Sequence, residues 1–249
     1  FTVSENEEKV SEYNDIDAAL YYSLCQAREL AYTICQDRTM KIRHRAVLLL
    51  DFAKKLQKKL KKNKLNKILD AYKDVQYRNE RIEKLEKKYA SYKKTTVVLR
   101  KWLDIYDRLE HIKPEWQGIL SELSGYVDRR MPDVKAGAVI VNERDYEYEH
   151  LMVYYVYRYF LRAVFDENVL EKIKLSCTAL IMQELLGAAY CYRDGCFDFE
   201  KQITLMRIYS KETEHSEENL DELYRNFKKN KAFSTKNYMG IILGSGLFD

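Results

Sequence analysis

"NVLEKIKLSCTALIMQELLGAAYCYRDG", residues 168–195, decides the fold class. Between Leu175 and Tyr192 it carries a single charge, Glu184. No Pro or β-turn pair interrupts it before Gly195, which suits the C′ position after a helix. The stretch therefore reads as a long core helix, with Gly187-Ala188-Ala189 as a small surface for close helix approach. Just upstream, "ERDYEYEHLMVYYVYRYFLRAVFD" (143–166) is hydrophobic nearly all round from Leu151 onward, as a central helix is. The two predict a central apolar helix pair.

Composition extends this reading to the whole chain. Only 8 Gly and 2 Pro occur in 249 residues. Sheet proteins need many turns, and turns draw on these two residues. Their scarcity predicts long helices with few connections, an all-α multi-helix bundle of about eight to ten helices. The length allows one large or two small domains. One helical domain over 1–249 is expected, with a charged helical layer (15–130) and an apolar helical core (143–249). "MPDVKAGAVIVN" (131–142) is the expected loop between them.

The N-terminal half reads as a series of amphipathic helices. Asn14 or Asp15 is the candidate N-cap of the first, which places Leu20, Leu24, Ala27 and Ala31 on one face. A second helix carries Leu49, Phe52, Leu56 and Leu60, and the two predict a hairpin. "LNKILDAYKDVQYRNERIEKLEKKYASY" is expected as one solvent-laced helix. Thr95 or Thr96 suits the next cap, and Pro114 suits an N1 position. Asp198 is read as the cap of the helix that follows Gly195.

Basic and acidic residues number 43 and 39, a net charge of +4 that by itself does not imply nucleic acid. No window is apolar enough for a membrane-spanning helix. The five Cys are scattered, odd in number and without a C-x-x-C pair, so reduced structural thiols and a cytoplasmic location are expected. The sequence starts without Met, and a piece of a longer protein is expected. Residues 54–67 contain eight lysines and no acid. They read either as a solvated helix face or as a dock for an acidic protein partner.

Charges that interrupt apolar helices mark the candidate chemistry. Arg158 and Arg162 are one turn apart, on the face of Tyr154 and Tyr155. Arg207 sits inside "TLMRIYS". Burying a charge is costly unless it is paired, so an ion pair of Arg158 or Arg162 with Glu184 is the simplest arrangement. The other reading is a cleft in which guanidinium forks grip a carboxylate. In "YSKETEHSEENLDEL" (209–223), Ser216 suits an N-cap and Glu217 and Glu218 suit the positive end of the helix dipole. His215, just before it, can act as a base or hydrogen-bond donor near neutral pH. Phosphate-binding glycine motifs and H-E-x-x-H are absent, and the terminal "GIILGSGLFD" follows no strand–helix pattern.

Three segments together resemble the C-terminal part of the flagellin lysine-N-methylase family: "LCQARELAYTICQDRTMKIRHRAVLLLDFAKKLQKKL", "LMVYYVYRYFLRAVFD" and "ITLMRIYSKETEHSEENLDEL". The resemblance covers about residues 20–230. It implies a bacterial enzyme that methylates lysines of flagellin with S-adenosylmethionine as donor. It also implies a cysteine-rich N-terminal region of the kind that holds an iron–sulfur cluster, which nothing in this chain matches.

Such an enzyme needs a neutral ε-amine, aromatic faces or carboxylates for the sulfonium, and an Arg for the donor's carboxylate. Expected in catalytic roles are His215, Glu184 and Tyr154. Expected to bind the cofactor are Arg158, Arg162, Arg207, Tyr209 and Glu214.

Overall fold

The computed structural model describes residues 17–60, 65–131 and 144–248. Every regular element among them is helical, as expected. In chain order they are α1 (Ala18–Cys35), α2 (Ile42–Lys59), α3 (Asn66–Lys73), α4 (Val75–Tyr89), α5 (Thr95–Tyr106) and α6 (Pro114–Asp128). Then come α7 (Asp145–Tyr159), α8 (Ala163–Asp166), α9 (Val169–Asp194), α10 (Phe199–Glu214), α11 (Glu217–Lys229) and α12 (Thr235–Gly244). Short 3-10 turns fill Phe160–Arg162 and Lys231–Phe233. Apart from Met131, the expected loop 131–142 lies outside the described residues, as do Asn14 and Asp15.

Local chemistry explains most of the boundaries. Asp17 caps α1, accepting from Leu20 N at 3.0 Å. Pro114 opens α6 where its missing N–H costs nothing. Asp198 and Ser216 cap α10 and α11, accepting from Lys201 N (2.8 Å) and Asn219 N (3.2 Å). Gly195 takes a left-handed φ of 73° after α9. The cap of α5 is Lys94, and Thr95 is its first helical residue.

Two expected helices are each divided. The segment 65–92 splits at Asp74, whose carboxylate turns back to cap α4 through Gln76 N (2.8 Å) and Tyr77 N (3.4 Å). The segment 143–166 tightens into a 3-10 turn at Phe160–Arg162, and α8 stops at Glu167 in the left-handed region.

The chain forms two compact units. The first contains residues 1–82 and 146–176, the second 83–145 and 177–249. In the first, α1 and α2 form the expected hairpin, with α3 against both. Leu24, Ala27, Ala31, Leu49, Phe52 and Leu56 are fully buried. Its polar core is tied to α2: Asp51 accepts from Tyr72 Oη (2.7 Å) and, through both oxygens, from Arg81 (2.8 and 2.9 Å). Gln57 clamps the α8–α9 turn, donating to Glu167 O (2.7 Å) and accepting from Leu170 N (3.1 Å).

The second unit is built on aromatics. Trp102 of α5 stacks on Phe233 with centroids 4.7 Å apart, and its Nε1 donates to Ala232 O at 3.1 Å. Tyr238 of α12 is buried against Trp102 and shares a 2.5 Å hydrogen bond with the Thr178 hydroxyl. α12 is pressed against the end of α4. A Cβ on Gly240 would overlap the Tyr92 ring, and one on Gly244 the Tyr89 carbonyl oxygen.

Candidate functional site

The α10–α11 junction fixes the histidine segment. Glu212, buried, accepts from Ile112 N (3.0 Å) and Lys113 N (2.6 Å). Asn219 Nδ2 donates to Glu110 O (2.8 Å) and Glu212 O (2.7 Å), while its Oδ1 accepts from Glu110 N (2.9 Å). Ser216 Oγ donates to Glu110 Oε2 at 3.2 Å. The turn before Pro114 is thereby stitched to the end of α10. "HSEEN" is a capped helix start, as the sequence suggests, and it also holds its neighbours rigid.

What this frame presents is the outer face of α10. Arg207, Lys211, Glu214 and His215 fall at helical spacing, one turn apart, and all four are exposed or half-exposed. Lys113 lies beside Lys211: its ammonium, then partial burial and Arg207, pushes the Lys211 amine below the ordinary lysine range. Three cations crowded this closely favour an anion between them. A carboxylate that accepted from Arg207 and Lys211 would relieve the mutual repulsion.

Tyr209 points the other way. It is buried, its hydroxyl shares a 2.7 Å hydrogen bond with Tyr106, and its ring packs on Trp116. Burial pushes the Tyr106 hydroxyl above the ordinary tyrosine range, only partly offset by its bond to Tyr209.

A second cluster sits on α7 in the other unit. Arg158 Nε donates to Tyr159 Oη at 3.1 Å, and the guanidinium carbons of Arg158 and Arg162 lie 5.6 and 5.2 Å from the Tyr159 ring centre. Tyr154 is 42% exposed, whereas Tyr155 is buried and stacks on Tyr159. Arg158 and Arg162, read as candidates for a buried ion pair, are exposed, and so is Arg207. The sequence pattern misled because long side chains on an apolar helix reach water at its rim.

Of the four charges that interrupt apolar helices, Glu184 alone is deeply buried. Its Oε1 has no hydrogen-bond partner among the described residues. Burial first, and then the Asp145 carboxylate, pushes the Glu184 carboxyl well above the ordinary carboxylate range. Both causes favour the neutral form of the group. In the unfolded chain it ionises above about pH 4.3, so its contribution to stability is present below that pH and is lost as pH rises toward the folded value. Glu184→Gln is therefore expected to raise stability at pH 8 and to leave it unchanged near pH 4. Urea unfolding at the two pH values checks this. An equal effect at both would show that Glu184 is ionised in the fold.

The lysine run 54–67 is partly engaged. Lys55 donates to Tyr77 Oη at 2.6 Å and pairs with Asp51 at 3.4 Å. Lys58, Lys59 and Lys67 are exposed, while Lys61, Lys62 and Lys64 lie outside the described residues. All five Cys are free thiols, and Cys177 is pushed up to about 12 by burial. Among the described residues no group of three or more His, Cys, Asp or Glu converges as metal ligation requires, and no helix is long and apolar enough to cross a membrane.

A family model described as "FliB lysine N-methylase C-terminal domain" matches residues 28–241. No curated protein and no solved structure matches the chain.

Proposed function

The chain belongs to the family of FliB lysine N-methylase C-terminal domains, and from that premise we propose that it is the helical part of a cytoplasmic, bacterial, S-adenosylmethionine-dependent enzyme that methylates lysine side chains of flagellin. The observation that carries the reading is the cationic face of α10, Arg207 and Lys211 with Lys113 alongside and His215 at its end. The fit to the donor is partial. Its carboxylate matches the three cations, as an Arg fork and ammonium groups require. For the sulfonium this face offers the half-exposed carboxylate of Glu214. When bound, the donor supplies an activated methyl group that passes from sulfur to a neutral lysine nitrogen. In this reading Arg207 and Lys211 orient the carboxylate end, and the His215 imidazole takes the proton that the substrate ammonium must lose before it can attack. Any iron–sulfur cluster is assigned to the cysteine-rich region implied by the family, and no step here depends on it.

Calorimetric titration of S-adenosylmethionine into the chain tests the binding role. Arg207→Glu and Lys211→Glu are each expected to weaken binding about tenfold or more, since a hydrogen bond to a charged group contributes about 1.5–3 kcal/mol. Unchanged affinity in both variants, with melting temperatures preserved, would overturn it. In the intact protein, His215→Ala is expected to lower the rate of flagellin methylation most at pH 7 and least at high pH, where the substrate amine is already neutral. A loss independent of pH would remove His215 from the proton role.

A further inference from the structure

A second cationic site lies in the same unit, away from the α10 face. The end of α4, the turn 90–94 and the start of α12 enclose an open pocket of about 400 Å³ lined by Lys88, Tyr89, Ser91, Tyr92, Lys93, Lys94 and Lys236. Its four lysines are exposed and make no ion pair among the described residues. The sequence around them is free of acid from Lys87 to Leu103 and again from Leu223 to Phe248. In a chain whose total charge is only +4, this is a concentrated field.

The pocket is built rather than incidental. Tyr92 is fixed from two sides, its ring resting on Gly240 and its hydroxyl donating to Asn237 Oδ1 at 2.9 Å. Two helices begin at the pocket: Lys94 is the N-cap of α5, and Lys236 is the second residue of α12. Neither helix has a side chain capping its first-turn N–H groups, so both positive ends are open to an anion. Thr95, next to Lys94, is buried, and its hydroxyl has no hydrogen-bond partner among the described residues.

We propose that this pocket binds a small phosphate-bearing ligand of the nucleotide class, with its phosphates among Lys88, Lys93, Lys94 and Lys236 and its remaining body against Tyr92. Three features favour phosphate over the carboxylates of an acidic peptide. The lining contains no Arg, the residue whose planar fork matches carboxylates. Lysine ammonium groups serve phosphates as point charges. The volume is that of a small-molecule pocket and not of an extended groove. None of Arg207, Lys211, Lys113 or His215 lines it, so this site stands or falls independently of the donor site proposed above.

The test is titration of ATP, and separately of inorganic tripolyphosphate, into the chain at low salt. One-to-one binding is expected, weakening as salt screens the lysines. Lys93→Glu and Lys236→Glu are each expected to weaken both ligands about tenfold or more, with the melting temperature unchanged. Arg207→Glu is expected to leave both affinities as they are. ATP binding tighter than tripolyphosphate would show that the nucleoside also makes contact. Equal affinity would show that the phosphates carry all of the recognition. The proposal is overturned if neither ligand binds, if the charge-reversed variants bind as the original does, or if an octaglutamate peptide binds where tripolyphosphate does not.

Discussion

Glu149→Ala is expected to lower the unfolding free energy by about 3–5 kcal/mol, read as a fall in the urea midpoint. The Glu149 carboxylate on α7 accepts from Arg38 Nε (3.0 Å) and Nη2 (2.9 Å), and from Arg45 Nη1 at 2.8 Å. The Glu149 and Arg45 side chains are only 2% and 3% exposed. Arg45 also donates to Met40 O and Cys35 O, so it cannot swing out to water without breaking the α1–α2 turn. Alanine would leave that guanidinium buried without its counter-charge. The loss is expected to depend on pH. Burial acts to raise the Glu149 carboxyl, but the hydrogen bonds and charge of Arg38, and then Arg45, outweigh it and hold the group below the ordinary carboxylate range. A depressed folded value gives stability that is present above the unfolded value of about 4.3 and is lost as pH falls through the folded one. Glu149→Gln should flatten the fall in urea midpoint between pH 6 and pH 3. If the variant and the original fall in parallel, the ion pair does not contribute.

Gly244→Ala is expected to cost about 3 kcal/mol, against the roughly 1 kcal/mol that alanine gains over glycine inside a helix. A Cβ there would overlap the Tyr89 carbonyl oxygen and stand 2.9 Å from the Tyr92 Cβ. Both are backbone or near-backbone atoms, so relief requires α12 to move away from the end of α4. Gly118→Ala is the control. It sits in α6 with nothing within 4 Å of the added methyl, and is expected to stabilise by about 0.5–1 kcal/mol. Thermal unfolding of the two variants should therefore shift in opposite directions. A Gly244→Ala protein as stable as the original would mean that the two helices are not in the described contact.

Features set by a few neighbouring residues were legible in the sequence. Pro114, Asp198, Ser216 and Gly195 punctuate helices through groups within one turn of themselves. The Asp74 break carried a comparable signal, an acidic side chain two and three residues before the N–H groups it satisfies, yet the charge alternation around it read as one unbroken helix. The turn at 160–162 has neither Gly nor Pro, and nothing local announces it. For the site, Arg207 and His215 stand out separately in the sequence, one inside the helix after Asp198 and one just before the Ser216 cap; the structure carries that first helix on to Glu214, sets His215 at its end and adds Lys211 and Lys113. Lys113 is brought in by the Glu212 and Asn219 hydrogen bonds to residues 110–113, which join residues about a hundred positions apart. Tyr209 lies two residues from Arg207, which on a helix is the opposite side, and it faces the interior. The eight-lysine run drew attention because it is contiguous. The four pocket lysines come from two distant segments, which the Gly240 and Gly244 contacts and the Tyr92–Asn237 hydrogen bond bring together.

The interleaving of the two units, 1–82 with 146–176 and 83–145 with 177–249, constrains how the protein is made. During synthesis on the ribosome, the first unit lacks α7 and its Glu149 until residue 149 has emerged. By then the opening stretch of the second unit is already outside, without its partners. Arg38 and Arg45 wait for a counter-ion more than a hundred residues away, and such distant closures slow folding. No single cut can release either unit whole, so a ribosome stall or a protease nick between residues 83 and 145 would yield a stub that lacks part of both cores. Such products are natural clients for chaperones and for degradation.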